Sequence, residues 1–188
     1  MATSTAVHAG PTTWTMDPAH SSVEFAIKHM MLTTVRGRFK TIEATLHADP
    51  ERPELGHVEV RIDVASIDTG VPDRDAHLRS ADFFDVETHP QMTFRSRKVD
   101  GKVEEPGDRF QVTGDLTIRG TTLPVTLICI FAGRGKDPAG KQRVGFAARG
   151  DLDRRDWGLE WNQVIETGGV LVANTLRIEA EVQFVAED

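Results

Sequence analysis

The stretch His57-Val58-Glu59-Val60-Arg61-Ile62-Asp63-Val64 decides the fold, because apolar and polar side chains alternate along it without a break. Successive side chains of a β-strand point to opposite faces of its sheet, so the apolar residues share one face and the polar residues share the other. The same period of two returns at residues 22–28, 110–118, 144–148 and 176–184. These stretches are therefore predicted to be strands with one buried face.

The alternation predicts eight long strands, preceded by a short strand at residues 13–16. Between Phe39 and Ile42 the apolar phase changes, and a β-bulge near Lys40 and Thr41 would restore a single inward face. One short helix is predicted after the fourth long strand, at residues 73–84. Pro72 precedes this helix and two aspartates lie in its first turn, as at many helix starts.

Many alternating strands joined by short turns favour a closed antiparallel barrel, because closure leaves no exposed sheet edge. A β-sandwich is the alternative. The sequence thus predicts an all-β protein whose single domain covers residues 12–188. Residues 1–11 are small and polar, have no periodic pattern, and are predicted to be disordered.

The charge balance argues against several classes of function. The 188 residues include 29 acidic and 22 basic side chains, which gives a net charge of −7 with histidine neutral. Nucleic-acid binding and polybasic membrane anchoring both need a basic surface, so neither is expected. No run approaches about 18 consecutive apolar residues, so no stable membrane insertion is expected. The first ten residues do not resemble a signal peptide, which favours a cytoplasmic location, or a periplasmic or secreted one if a leader has been cleaved.

No catalytic residue, metal site or required cofactor is expected. The seven histidines form no H-x-H or H-E-x-x-H motif, and the sequence has neither a G-x-S-x-G motif nor a P-loop. The single cysteine, Cys129, lies in a predicted strand among apolar residues, as a buried structural thiol would.

Residues 74–85 combine charged side chains with Leu78, Phe83 and Phe84. One interpretation is an amphipathic helix that closes a barrel end and packs these three apolar side chains inward. The other is a polar rim at the mouth of a cavity. The two interpretations are compatible.

Residues 123–131 are apolar on both strand faces, since Ile128 and Ile130 lie opposite Val125, Leu127 and Cys129. The barrel interior would cover one face. A second subunit in a homodimer, or the protein's own N-terminal segment, would cover the other.

Four ordered stretches resemble the YceI-like family, whose members are described as lipid- or polyisoprenoid-binding barrels. They are residues 14–29 with 34–39, residues 74–86 with 90–94, residues 114–126, and residues 155–159. The resemblance covers the chain from about Trp14 to Val185. It implies a lipocalin-like, eight-stranded antiparallel barrel with an apolar channel.

The resemblance also implies binding, transport or storage of a long-chain amphiphile, such as an isoprenoid, a quinone or a fatty-acid-like lipid, by a protein that is not an enzyme. The side chains expected to line the channel are Phe25, Ile27, Phe39, Ile42, Val60, Ile62, Met92, Phe94, Leu116, Ile118, Leu127, Phe146, Leu176 and Ile178. Candidates for a polar rim that selects the headgroup are His20, Ser21, His29, Arg74, Asp75 and His77.

Flexible Met30, Met31 and Leu32 could adapt to the lipid tail at one end of this channel. Two other functions remain open. The barrel could be filled by its own side chains and act as an interaction or stress-related module. It could also be an enzyme that uses a histidine of the polar rim on an amphiphilic substrate.

Overall fold

The computed structural model describes residues 12–49, 52–166 and 169–187, so the predicted disordered segment 1–11 lies outside the described residues. Within these ranges the chain forms thirteen strands and one α-helix. The strands are β1 (Thr12–Met16), β2 (Ser22–His29), β3 (Thr33–Phe39), β4 (Ile42–Asp49), β5 (Arg52–Asp63), β6 (Ile67–Asp68), β7 (Gln91–Gly101), β8 (Arg109–Ile118), β9 (Thr121–Lys136), β10 (Gln142–Asp153), β11 (Val164–Ile165), β12 (Gly169–Val170) and β13 (Val172–Ala186). The helix is α1 (Pro72–Arg79), and 3-10 turns lie at Pro18–His20, Val64–Ser66 and Arg154–Trp157.

Eight of the strands close into an antiparallel barrel. They follow one another around the ring in the order β1, β4, β5, β7, β8, β9, β10 and β13, and β13 pairs back with β1. Three more strands lengthen one side of the barrel: β2 pairs with β13, β3 pairs with β2, and β6 pairs with β3. The predicted barrel is confirmed and the sandwich alternative is wrong.

The change of phase predicted near Lys40 and Thr41 is an interruption of the strand between β3 and β4. Both backbone N–H groups donate to the Ser66 hydroxyl oxygen, at 3.1 and 3.0 Å. Ser66 lies in the 3-10 turn that separates β5 from β6. The hydroxyl replaces strand pairing where both neighbouring strands break, so no backbone donor is left unsatisfied.

The helix is shorter than the sequence pattern suggested. It ends at Arg79, because the Ser80 backbone turns to an extended conformation and its hydroxyl donates to the His77 carbonyl at 2.7 Å. Phe83 and Phe84, predicted to be helical, lie in the turns that follow and still pack on the core. Ser side chains compete for helix carbonyls in this way, which apolar spacing alone does not reveal.

The core lies inside the barrel and extends beneath α1. Its largest cluster includes Val64 and Ile67, each 1% exposed, together with Trp157 at 3%. Two further clusters lie around Trp14 and around Phe110. Among the described residues, no helix is long and apolar enough to cross a membrane.

Candidate ligand-binding site

Thirteen of the fourteen predicted channel residues belong to the core clusters inside the barrel. Phe39, Met92, Leu116 and Ile118 are buried. The other members of the predicted set keep partial exposure. Ile27 is not part of these clusters. It lies near the C-terminal end of β2, opposite Leu176 and Val35.

The partly exposed members of this set are the walls of a candidate site. They lie on the inward side of their strands and pack against the core clusters, yet each keeps part of its surface exposed. Side chains that filled the barrel tightly would have lost this surface. An eight-stranded barrel has room for its own side chains or one slender ligand.

The barrel end covered by α1, called the α1 end below, is closed by aromatic contacts. The His77 ring meets Phe83 edge-on at 5.1 Å and Trp161 edge-on at 4.6 Å between ring centroids. Its Nε2 also lies 2.9 Å from the Asp82 carboxylate. The chain after β10 is thereby fastened to the helix across the barrel end.

Arg74 and Asp75 already hold the protein's own backbone. The Asp75 carboxylate, only 7% exposed, accepts from the Thr69 backbone N–H at 2.9 Å and from its hydroxyl at 2.5 Å. The Arg74 guanidinium donates to the same hydroxyl and to the Thr69 carbonyl, at 2.7 and 3.0 Å. These two predicted rim residues therefore dock α1 against the segment that follows β6.

His20 and Ser21 lie away from the helix, at the break between β1 and β2. The Ser21 hydroxyl accepts from the Gln183 backbone N–H at 3.0 Å, which bridges the break. Nδ1 of exposed His20 lies 2.9 Å from the Asp17 carboxylate. Arg143 donates to the same carboxylate at 2.6 Å, and this bond, followed by the contact with His20, lowers the Asp17 pKa to about 2.

His29 ends β2, beside the turn that leads into β3, and is half-buried. The six rim candidates thus fall in three places. Arg74, Asp75 and His77 lie together on α1, His20 and Ser21 lie at the β1–β2 break, and His29 lies at the opposite end of β2.

Two described side chains that have a buried polar atom without a hydrogen-bond partner were not among the predicted site residues. Arg154 is 3% exposed and donates to the backbone carbonyls of Leu159, Trp161 and Ala173, while its Nη2 has no partner. Burial lowers the pKa of this guanidinium. Arg154 begins the 3-10 turn that follows β10, two residues after buried Leu152, and continuing the alternation of β10 into this turn was the one sequence signal for its burial.

The second buried group is the indole of Trp14, which is 6% exposed and whose Nε1 has no partner. Trp14 packs in the cluster that also holds Met16, Ala44 and Phe184. An unpaired N–H in an apolar interior is uncommon and calls for an explanation. The period-two pattern of β1 points Trp14 inward, but no sequence pattern shows that its N–H lacks an acceptor.

The single cysteine, Cys129, lies buried on the inner face of β9. Cys129 is 5% exposed, and burial raises the pKa of its thiol to about 11, so the thiolate is scarce at neutral pH. This confirms the interpretation of Cys129 as a structural thiol. Across residues 12–49, 52–166 and 169–187, no group of three or more His, Cys, Asp or Glu side chains is placed to hold a metal ion.

Comparison with known proteins agrees with this architecture. The YceI-like domain profile matches residues 14–184. The chain belongs to the YceI-like family. A UPF0312 protein of Staphylococcus epidermidis is 37% identical over 174 residues, covering 92% of this chain and 97% of the relative. Protein YceI of Escherichia coli O157:H7 is 40% identical over 141 residues, covering 75% and 72%.

Solved structures are similar to this YceI-like protein over most of the chain. Burkholderia cenocepacia BcnA is 27% identical with a TM-score of 0.76, covering 89% of this chain and 98% of that chain. A polyisoprenoid-binding domain from Saccharophagus degradans has a TM-score of 0.71 and covers 94% and 99%. Its sequence identity is 15%, so this second likeness concerns the fold alone.

Three of the stretches that carried the family resemblance meet at the α1 end of this YceI-like protein. Arg119, in the turn between β8 and β9, donates to the Ala81 carbonyl at 2.9 Å and to the Gly158 carbonyl at 3.1 Å. The Trp157 indole N–H donates to the Leu116 carbonyl at 3.2 Å. The family motifs at this end therefore include residues that build the barrel closure.

The outer face of this YceI-like barrel carries a groove of about 390 Å³ across β9, β10, β13 and β2. Ile128 and Ile130 line it, and Ile128 is 40% exposed. The predicted division of β9 into two apolar faces is confirmed, since Val125 and Cys129 are buried on the inner face. The homodimer stays a prediction.

Proposed function

We propose that this protein binds a long-chain amphiphilic lipid, such as an isoprenoid or a quinone, inside its barrel, and carries or stores it without chemical change. The observation that carries the proposal is the set of inward-facing apolar side chains that remain partly exposed in a closed barrel. Such surface is unfavourable in water and is covered when an apolar chain enters.

The magnitude of apolar burial supports this ligand class. Each buried methylene contributes about 0.8 kcal/mol, so a tail of about ten carbons would gain roughly 8 kcal/mol before the costs of association. The name of the Saccharophagus degradans neighbour, a polyisoprenoid-binding domain, supports the same class. Membership of the YceI-like family supports a binding role rather than an enzymatic one.

Trp14 would contribute a polar contact to such a ligand. Its indole N–H is the donor in the cluster around Met16 and Phe184 that lacks an acceptor, and a ligand carbonyl or hydroxyl oxygen would pair with it. The variant Trp14→Phe removes this donor but keeps an aromatic ring. We expect it to weaken the binding of an oxygen-bearing amphiphile by about fivefold to tenfold, the scale of one lost hydrogen bond. The affinity for a saturated hydrocarbon of equal length should not change. Equal losses for both ligands, measured by competition, would show that Trp14 acts by packing alone.

Organic extraction of the purified protein followed by mass spectrometry tests the proposed function. A lipid in near-stoichiometric amount is the expected result. Chemical turnover of added amphiphiles would instead indicate an enzyme. Absence of both, with no binding of added isoprenoid or quinone, would indicate a barrel filled by its own side chains.

A further inference from the structure

Exposed apolar side chains gather at the α1 end of the molecule. Eight large apolar side chains of the described residues are exposed, and six of them lie at this end, on the β2–β3 turn, on the β11–β12 hairpin and just before α1. The six are Met30, Met31, Leu32, Val71, Val164 and Val170. The remaining two, Leu55 and Ile128, lie elsewhere on the barrel.

The turn between β2 and β3 holds the most unusual of these residues. Met30 and Met31 have φ values of 50° and 58°, and the Leu32 backbone N–H donates to the His29 carbonyl at 3.0 Å. A hairpin turn with two positive φ values strongly favours Asn-Gly, because bulky side chains are strained there. Yet Met31 is 69% exposed and Leu32 is 77% exposed. Residues that cost stability in the turn and expose apolar surface indicate a contact outside the chain.

A second hairpin joins this turn to form one surface. The Met30 N–H donates to the Leu171 carbonyl at 2.8 Å, and the Leu171 N–H donates to the Gln163 carbonyl at 2.9 Å. These bonds place the β11–β12 hairpin, with exposed Val164 and Val170, beside the β2–β3 turn. We call Met30, Met31, Leu32, Val164 and Val170 the apolar tip.

The chain segment that carries the β2–β3 turn is positively charged, opposite in sign to the whole chain. Residues 25–41 contain Lys28, Arg36, Arg38 and Lys40 and no acidic residue, in a protein of net charge −7. Arg36, Arg38 and Lys40 keep 57–62% of their side-chain surface exposed, although they pair with Glu179 or Asp68 and Glu24 lies opposite Arg38. The negative net charge of the whole chain had argued against a polybasic anchor, but a net charge does not show that one segment is locally basic.

We propose that the apolar tip docks on the surface of an anionic lipid bilayer. The methionine and leucine side chains would enter the boundary between headgroups and acyl chains, and the basic β2–β3 surface would face the anionic headgroups. Exposed Glu166 on the neighbouring hairpin opposes this attraction, so the β2–β3 turn makes the principal contact. A docked bilayer would also be a source of the lipid that the barrel is proposed to bind. That supply rests on the proposed function, whereas the docking itself does not.

Sedimentation with vesicles tests the docking directly. The probe is a two-to-one mixture of phosphatidylcholine and phosphatidylglycerol, compared with pure phosphatidylcholine. The paired variant Met30→Asn with Met31→Gly supplies the residues that the turn geometry favours. We expect it to melt at a higher temperature than the wild type and yet to bind the mixed vesicles about tenfold more weakly. A loss of binding with a gain in stability cannot be explained by misfolding.

Two further variants separate the apolar and the charged contributions. Leu55→Gln removes an exposed apolar side chain far from the tip and should leave vesicle binding unchanged. Lys28→Gln should weaken binding to the mixed vesicles by about fivefold, the equivalent of ~1 kcal/mol per cation, and reduce its dependence on salt.

Wild-type protein that fails to sediment with the mixed vesicles would overturn the docking, as would the paired turn variant binding like the wild type. Loss of self-association in that variant, without vesicle binding, would assign the tip to a second copy of the chain instead. Mass spectrometry of the extracted protein keeps the two proposals apart. Bound lipid without vesicle binding refutes only the docking. Vesicle binding by a protein that holds no lipid and binds no added isoprenoid or quinone refutes only the carrier function.

Discussion

Ile62 and Arg61 are neighbours in β5 whose side chains point to opposite sides of the barrel wall. Ile62 packs on the largest core cluster, whereas Arg61 is exposed and lies opposite Glu43 in the register of β4 and β5. We expect Ile62→Asp to cost about 2–4 kcal/mol of unfolding free energy and to abolish lipid binding, because it buries an unpaired carboxylate. Arg61→Asp places a like charge opposite Glu43 and should cost less than about 1 kcal/mol. Equal losses in denaturant melts would contradict this register.

Asp17 makes stability depend on pH at the acidic end. Its folded pKa is about 2 against an ordinary value of 3.8, chiefly because Arg143 donates a hydrogen bond to the carboxylate. The stabilisation is therefore complete above pH 3.8 and is lost as the pH falls towards 2. We expect Asp17→Asn to flatten the fall of stability in this window, as followed by thermal melts.

Arg143→Gln supplies the companion to that experiment, since the bond needs both side chains. The double variant should lose less stability than the sum of the two single variants, because the bond between Asp17 and Arg143 can be broken only once, and a thermodynamic cycle should therefore show strong coupling. Fully additive losses would mean that the two side chains act independently of each other.

At the scale of elements, α1 begins without a side-chain cap. Val71 occupies the N-cap position in an extended conformation, 44% exposed, and no side chain accepts from the first helical N–H groups. Contacts with the preceding segment hold the helix instead, since Arg79 donates to the carbonyls of Ala65 and Ile67, both at 2.8 Å. The short helix thus depends on tertiary bonds rather than on its own sequence.

We expect Val71→Ser to raise the unfolding free energy by about 1 kcal/mol, because the hydroxyl can accept from one of the free N–H groups. Val71→Ala, which removes the same apolar side chain and adds no oxygen, is the matched control. An equal gain in both variants, measured in denaturant melts, would show that capping is not the cause.

At the scale of the whole molecule, the groove around Ile128 concerns assembly. Glu24, Glu179 and Glu181 line it with Arg149 and the two isoleucines. We expect a second copy of the chain to cover this face, so light scattering should find a dimer at high concentration. Ile128→Lys should yield a monomer of nearly unchanged stability, whereas Thr126→Lys, on the same face outside the groove, should leave the dimer intact. A wild-type monomer at high concentration would refute the assembly.

The positions of the long strands and the side chains that face inward could be predicted from the sequence, because side-chain alternation is a local property of an extended chain. Val58, Val60 and Ile62 face inward whatever strand lies beside them. The same argument placed Ile128 opposite Cys129. The predicted end of α1 was wrong. The helix stops where the Ser80 hydroxyl donates to the His77 carbonyl, and a hydrogen bond made by a single side chain does not show in a periodic pattern.

By itself, the sequence determined that the chain is all-β and which side chains share the buried face of each strand, since apolar burial acts on every second residue. That the sheet closes into a barrel rather than stacking as a sandwich followed from the pairing of β1 with β13. Only the tertiary structure decided which distant residues meet. Strand pairing around the ring brought Arg119 against the carbonyls of Ala81 and Gly158, and it left Met31 and Leu32 outside the channel at the molecular surface. These contacts join loops that are far apart along the chain, and their positions follow from strand pairing around the whole ring rather than from any local pattern.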